Sequence, residues 1–345
     1  MLYVQRQQLD SLDDLKEALK NAIQLEFSTI PPYLTALYSI VPGKNDAIAA
    51  ILRSIVFQEM LHFGLVCNIL NGVGGCPDIP AVVPVYPGPL PMGIGDAPGK
   101  QFIVPLKKLS VDTVRDVFMV IEEPESPIHF PVDKVVLEAV PEYHTIGEFY
   151  EAVSRLIADL GEKVFTGKKE RQVTGYVGPD ELFAVTNVAS AQRAIEIIVR
   201  QGEGTPTSPV GGPDGLAHYY RFEEIAKGKT LHPNPDVPEK YSFGNPPIPL
   251  DETVDVYPMA DNPPTVPLDP QSQLGRMSQR CDETFSALVD GLQETFDGTP
   301  DHLGAAIGLM YSLRVQAQSL MAEALPDGNG NAGPRFLYNR ATAAG

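Results

Sequence analysis

Two carboxylates and an imidazole are the first residues in this sequence whose spacing could do chemistry. Along 45–71, Ile48, Leu52, Ile55, Glu59, His62, Val66 and Ile69 recur at steps of three and four. Glu59 and His62 therefore share the apolar face of one helix, a turn apart. Along 11–40, Leu15, Leu19, Ala22, Glu26 and Ile30 or Tyr33 form the equivalent stripe, so Glu26 points inward as well. Pro42-Gly43 makes the turn between the two helices. Glu26 lies sixteen residues before Pro42, and Glu59 lies sixteen after Gly43. An antiparallel pair rising about 1.5 Å per residue puts both carboxylates at one height. Two buried carboxylates beside an imidazole are very costly unless cations compensate them. Arginines such as Arg200 and Arg221 could do this, and so could a metal ion.

An inward Glu followed one helix later by Glu-x-x-His is the ligand pattern of four-helix di-metal carboxylate sites. Such a site needs a second half. The candidates are Glu148 on a third helix and Glu203 on a fourth, with Glu196, two turns earlier on the same face, in reserve. No histidine lies three residues beyond Glu203. The substitute is His218 in DGLAHYYRFEEI, whose helix face carries Phe222 and Ile225. On this reading His218 and Glu203 hold the same ion. Each candidate has a plainer alternative. Thr145-Ile-Gly-Glu148 is a capping box that would spend Glu148 on backbone amides. Glu203, between two glycines at a helix end, could be solvated, and His218 could be a core histidine. His129, His144, His232 and His302 fall in loops or at helix starts and read as non-ligands.

The elements that must position these groups are all helical. Helices are predicted over 11–40, 45–71, 145–160, 187–203, 214–227, 271–295 and 300–324, with a shorter one over 110–121. Pro31-Pro32 should kink the first, because their missing N–H groups release the carbonyls of Phe27 and Ser28. Between the second and third helices, about 76–143, lies a long irregular insertion, too rich in Val, Ile and Phe to be a solvated linker. Residues 231–270 form an extended Pro-rich arm. The expected organisation is a bundle over 1–230 that includes the insertion, the arm, and a C-terminal helical hairpin over 271–345.

The 345 residues carry a net charge of −18, which repels phosphate backbones and anionic lipid. Nucleic-acid and membrane partners are therefore not expected. The most apolar run, 51–71, is interrupted by Arg53, Gln58, Glu59 and His62, and MLYVQRQQLD lacks the apolar core of a secretory signal. Three cysteines make neither a disulfide framework nor a zinc site. The expectation is a cytoplasmic protein, with a homo-oligomer left open.

QLEFSTIPPYLTALYSI followed by IVFQEMLHFGLVCNILNGVGG resembles the ferritin-like domain of the iminophenyl-pyruvate dimer synthase family, as do TIGEFYEAV, IIVRQGEGT and HYYRFEEI later in the chain. The resemblance covers about 1–230. It implies an all-α, ferritin-like four-helix bundle carrying one or two ions of iron, with manganese the alternative. The implied ligands are Glu26, Glu59, His62, Glu203 and His218, together with Glu148. It also implies a non-haem iron oxidase or oxygenase that uses O2 on a small organic molecule, an amino-acid-derived imine of secondary metabolism. The alternatives are a ferritin-type ferroxidase, with iron as substrate, and a scaffold whose site no longer binds metal.

Overall fold

A computed structural model describes residues 2–5, 9–97, 99–124, 143–177, 180–205, 207–212, 215–264 and 268–339. The later part of the insertion, with His129, and Asp214 lie outside the described residues.

The first helix, α1 (Leu12–Ser39), opens on a capping box in which Ser11 and Asp14 satisfy each other's backbone amides. It runs on through Pro31 and Pro32. One released carbonyl is put to use: the Tyr86 hydroxyl, from the insertion, donates to Ser28 O at 2.7 Å. The second helix, α2 (Asp46–Gly72), is capped by Asn45. It is long and apolar enough to cross a membrane by length and composition, contrary to the sequence reading, but 67% of its apolar window is buried inside the fold. The insertion contributes α3, which is Val111–Thr113, a π-helical turn Val114–Phe118, and Met119–Ile121. Then follow α4 (Ile146–Leu160), α5 (Val188–Glu203), α6 (His218–Lys227), α7 (Gln273–Phe296) and α8 (Leu303–Met321).

Helices α1, α2, α5 and α4 form the four-helix bundle, α1 packing on α2 and α4, and α5 on α2 and α4. The fold is mostly helical, with the extra helices laid around the bundle. Every residue from Leu25 to Ala36 and from Leu61 to Val73 is buried. A one-sided stripe describes only the outer halves of α1 and α2; their inner halves are enclosed on all sides. The α7–α8 hairpin covers one flank, through ring contacts of Phe285 with Phe27 and of Phe296 with Phe63. On another flank, Phe118 of α3, Tyr33 of α1 and Phe222 of α6 pack ring against ring at 4.7–5.2 Å.

The irregular regions are more ordered than their composition suggests. Short antiparallel pairs close the insertion, Gly88–Pro89 on Ile103–Val104 and Gly95–Ala97 on Lys100–Gln101. The arm is not simply extended. Lys229–Pro233 and Tyr241–Pro247 pair as a hairpin, and Ile248, Val256 and Met259 beyond it are buried.

Candidate metal centre

Glu26 of α1 and Glu59 and His62 of α2 meet in the bundle core at the height the residue count requires. His62 Nδ1 lies 3.6 Å from Glu26 Oε2 and 3.9 Å from Glu59 Oε1. His218, at the start of α6, brings its Nδ1 to 2.8 Å from the same Glu59 Oε1. A third carboxylate completes the group: Glu122, directly after α3, places Oε2 3.5 Å from His218 Nδ1. Two sets of donors result, Glu26–Glu59–His62 and Glu59–Glu122–His218, and in each the ligand atoms lie within 4.8 Å of one another. All five residues are buried. Glu59 belongs to both sets. The two imidazoles stack, ring centres 5.5 Å apart.

The far side of each imidazole is fixed by a glutamine. His62 Nε2 lies 2.9 Å from Gln201 Oε1, and His218 Nε2 lies 3.0 Å from Gln58 Oε1. Gln58 turns its amide nitrogen toward Asp180 Oδ2, which orients the carbonyl oxygen toward the ring. An amide oxygen only accepts, so both Nε2 atoms carry a proton, and each Nδ1 is left to face the carboxylates, protonated in the metal-free protein and a lone pair to a bound ion. Each carboxylate has its own hydroxyl neighbour. Tyr150 donates to Glu26, Tyr33 donates to Glu122 Oε1 at 2.5 Å, and Thr29 Oγ1 is 2.6 Å from Glu59 Oε2.

Electrostatics leave this cluster able to take a cation. Among the described residues, no lysine or arginine pairs with Glu26, Glu59 or Glu122. Arg200 instead pairs with the exposed Glu196, and Arg221 donates to Ser54 Oγ and Leu216 O. Burial pushes the Glu59 carboxyl up, and the charge of Glu122 pushes it further. Burial alone would lower both imidazoles, but the surrounding carboxylates outweigh it and raise them, His218 to about 9. Burial and the adjoining carboxylates also hold the Tyr150 and Tyr33 phenols protonated. Without a metal, protons stand in for the missing positive charge. The fit to a metal is specific at one atom: His218 Nδ1 is fully buried and makes no hydrogen bond, despite its 2.8 Å approach to Glu59. A ring nitrogen and a carboxylate oxygen converging in that way suit a shared cation.

The structure does not bring every sequence candidate here. Glu148 closes the capping box of α4, with Oε2 3.0 Å from Thr145 N, and so takes the plainer of its two readings. From α4 it is Tyr150 that reaches the centre. Glu203 packs its carboxylate against Gly147, where a Cβ would come within 2.8 Å of Oε2, so it shares no donor set with His218. Ala191, Ala194, Ile195, Ile198 and Gln201 define the inward face of α5, and Glu196 and Glu203 stand off it. Glu122 was absent from the sequence reading, although a signal existed. Val114, Phe118 and Glu122 follow at steps of four, the kind of stripe that exposed Glu59.

A family model described as Ferritin-like matches residues 19–227. Among solved structures, the chain is similar to the crystal structure of a ferritin-like protein from Caulobacter vibrioides. Their identity is 24% and the TM-score 0.59, over 96% of this chain and 100% of that one. At that identity the likeness concerns the fold alone. No curated protein matches the sequence.

Proposed function

We propose that this chain, which belongs to the ferritin-like family, holds two metal ions side by side and is an O2-dependent oxidoreductase acting on a small organic molecule. Glu26 and His62 would hold one ion, Glu122 and His218 the other, and Glu59 both. The mixed carboxylate and imidazole donors suit iron, with manganese the alternative. The observation that carries the reading is the sharing of Glu59 between two donor sets, in each of which an imidazole turns Nδ1 toward the carboxylates.

A bound pair of redox-active ions supplies reaction with O2 and removal of electrons from a substrate. The protein's own groups prepare the site for it. Gln58 and Gln201 hold the imidazole tautomers, Thr29 steadies Glu59, and Tyr33 and Tyr150 hold phenolic protons on Glu122 and Glu26. The aromatic wall of Phe118 and Phe222 excludes water on the α3 side.

An organic substrate is favoured by the elements added to the bundle, since the insertion itself donates Glu122 and encloses the centre. The resemblance to iminophenyl-pyruvate dimer synthase extends the reading to an amino-acid-derived imine. One observation favours iron as substrate instead: the net charge of −18 concentrates cations around the protein. Anaerobic loading with Fe(II), followed by O2, separates the two. Iron retained at two per chain after one round of O2 uptake marks a cofactor. Continued oxidation of excess Fe(II) marks iron as the substrate, and no bound iron refutes both.

A further inference from the structure

Helix α8 leaves an apolar face uncovered. Ile307 is 37% exposed, and Tyr311 and Val315 are each 65% exposed, following one another at steps of four. Gly304 and Gly308 lie along the same side, and a Cβ at either would meet no described atom within 4 Å. Glycine weakens a helix, and packing among the described residues does not require it at these two positions. Leu303–Met321 also holds no Asp or Glu and only one charged residue, Arg314. In a chain of net charge −18, that is an unusually neutral stretch.

We propose that this face binds a second copy of the chain, α8 against an antiparallel α8, about a two-fold axis between Leu309 and Met310. That axis is set by the pattern itself. It places Gly308 opposite the partner's Tyr311 and Gly304 opposite the partner's Val315. Symmetry repeats both pairs, so each bulky side chain enters the notch left by a glycine. Ile307 falls opposite the partner's Ser312, again large against small. One register thus satisfies both glycines and both large residues, as a self-complementary surface must. Charge points to the same occupant. Two copies, each strongly acidic, repel over most orientations, and a face without carboxylates is where they can close.

Sedimentation velocity on the full chain, over a roughly hundredfold range of protein concentration, tests this. A dimer is expected. Tyr311→Lys and Gly308→Leu should each raise its dissociation constant at least tenfold, with far-UV circular dichroism unchanged, because neither residue is buried within the chain. The exchange Gly308→Tyr with Tyr311→Gly recreates the same facing pair and should restore the dimer that Gly308→Tyr alone abolishes. A wild-type monomer throughout, or a dimer that survives Tyr311→Lys, overturns the proposal. An exchange variant that stays monomeric overturns the antiparallel register.

Discussion

Replacing Glu59 by glutamine tests the shared corner of the centre directly. The amide keeps the volume and an oxygen that can accept from Thr29, 2.6 Å away in the native protein, so the packing of α1 on α2 is preserved. What is lost is the charge common to both donor sets. At a free metal concentration one hundred times the dissociation constant, each bound ion stabilises the fold by about 2.7 kcal/mol, so two contribute about 5 kcal/mol. Groups that merely support a ligand change metal affinity 10–100-fold, and loss of the ligand itself should cost at least the upper figure. At the same free metal, each site of the variant then contributes only about 0.4 kcal/mol. An unfolding entropy of about 2 cal/mol/K per residue makes 1 kcal/mol worth about 1.4 °C in a chain of this length. Metal should therefore raise the melting point of the wild type by about 7 °C and that of Glu59→Gln by about 1 °C. The metal-free variant should melt no lower than the metal-free wild type, because a carboxylate repelled by Glu122 has been removed. Differential scanning fluorimetry with and without Fe(II) or Mn(II) reads both quantities. A variant that keeps the full metal-induced shift shows that Glu59 holds neither ion.

His218→Ala should lower the stoichiometry to one metal per chain by elemental analysis, leaving the Glu26–Glu59–His62 half occupied; a second ion still bound would exclude His218 as a ligand. Gln201→Leu and Gln58→Leu should weaken metal binding by about 10–100-fold in a chelator competition, because each imidazole is no longer held with Nδ1 turned toward the centre. Metal-free protein should lose stability as pH rises from 6.5 toward 9, since His218 is raised to about 9 and the folded state binds that proton more tightly than the unfolded chain does. His62 is raised too and acts in the same sense, so the metal-induced shift in melting temperature should grow across that window. Tyr86→Phe should cost about 1–2 kcal/mol in denaturant unfolding by leaving the Ser28 carbonyl unpartnered beside Pro32.

What the sequence made legible was whatever repeats at helical spacing within one helix or across one short turn. Glu26, Glu59 and His62 came from two stripes and a residue count, and His218 from the apolar face it shares with Phe222. The same method failed at α5. There Glu196 and Glu203 do share a face, but Ala191, Ala194, Ile195 and Ile198 mark a different one as inward. It failed at Glu148 because a capping box and a ligand make the same local demand on sequence. Glu122 was missed because the short helix expected over 110–121 stops one residue before it, and the π-helical turn there departs from the 3.6-residue period. The hydroxyls and glutamines around the ligands follow no period at all. Their roles exist only once distant segments are packed together.

The origin of Glu122 in the insertion gives the centre a history as well as a shape. Glu26, Glu59 and His62 sit on a single helical hairpin and are gathered by local contacts, the kind that form early in folding. The other half waits for α3, and for α6, which starts 146 residues beyond the end of α2, to dock on that hairpin. The two halves therefore mature in sequence. On the proposed function, a chain refolding in the presence of metal should first offer a single three-donor site, and a second ion should find its place only when the aromatic seal of Phe118, Tyr33 and Phe222 closes behind it.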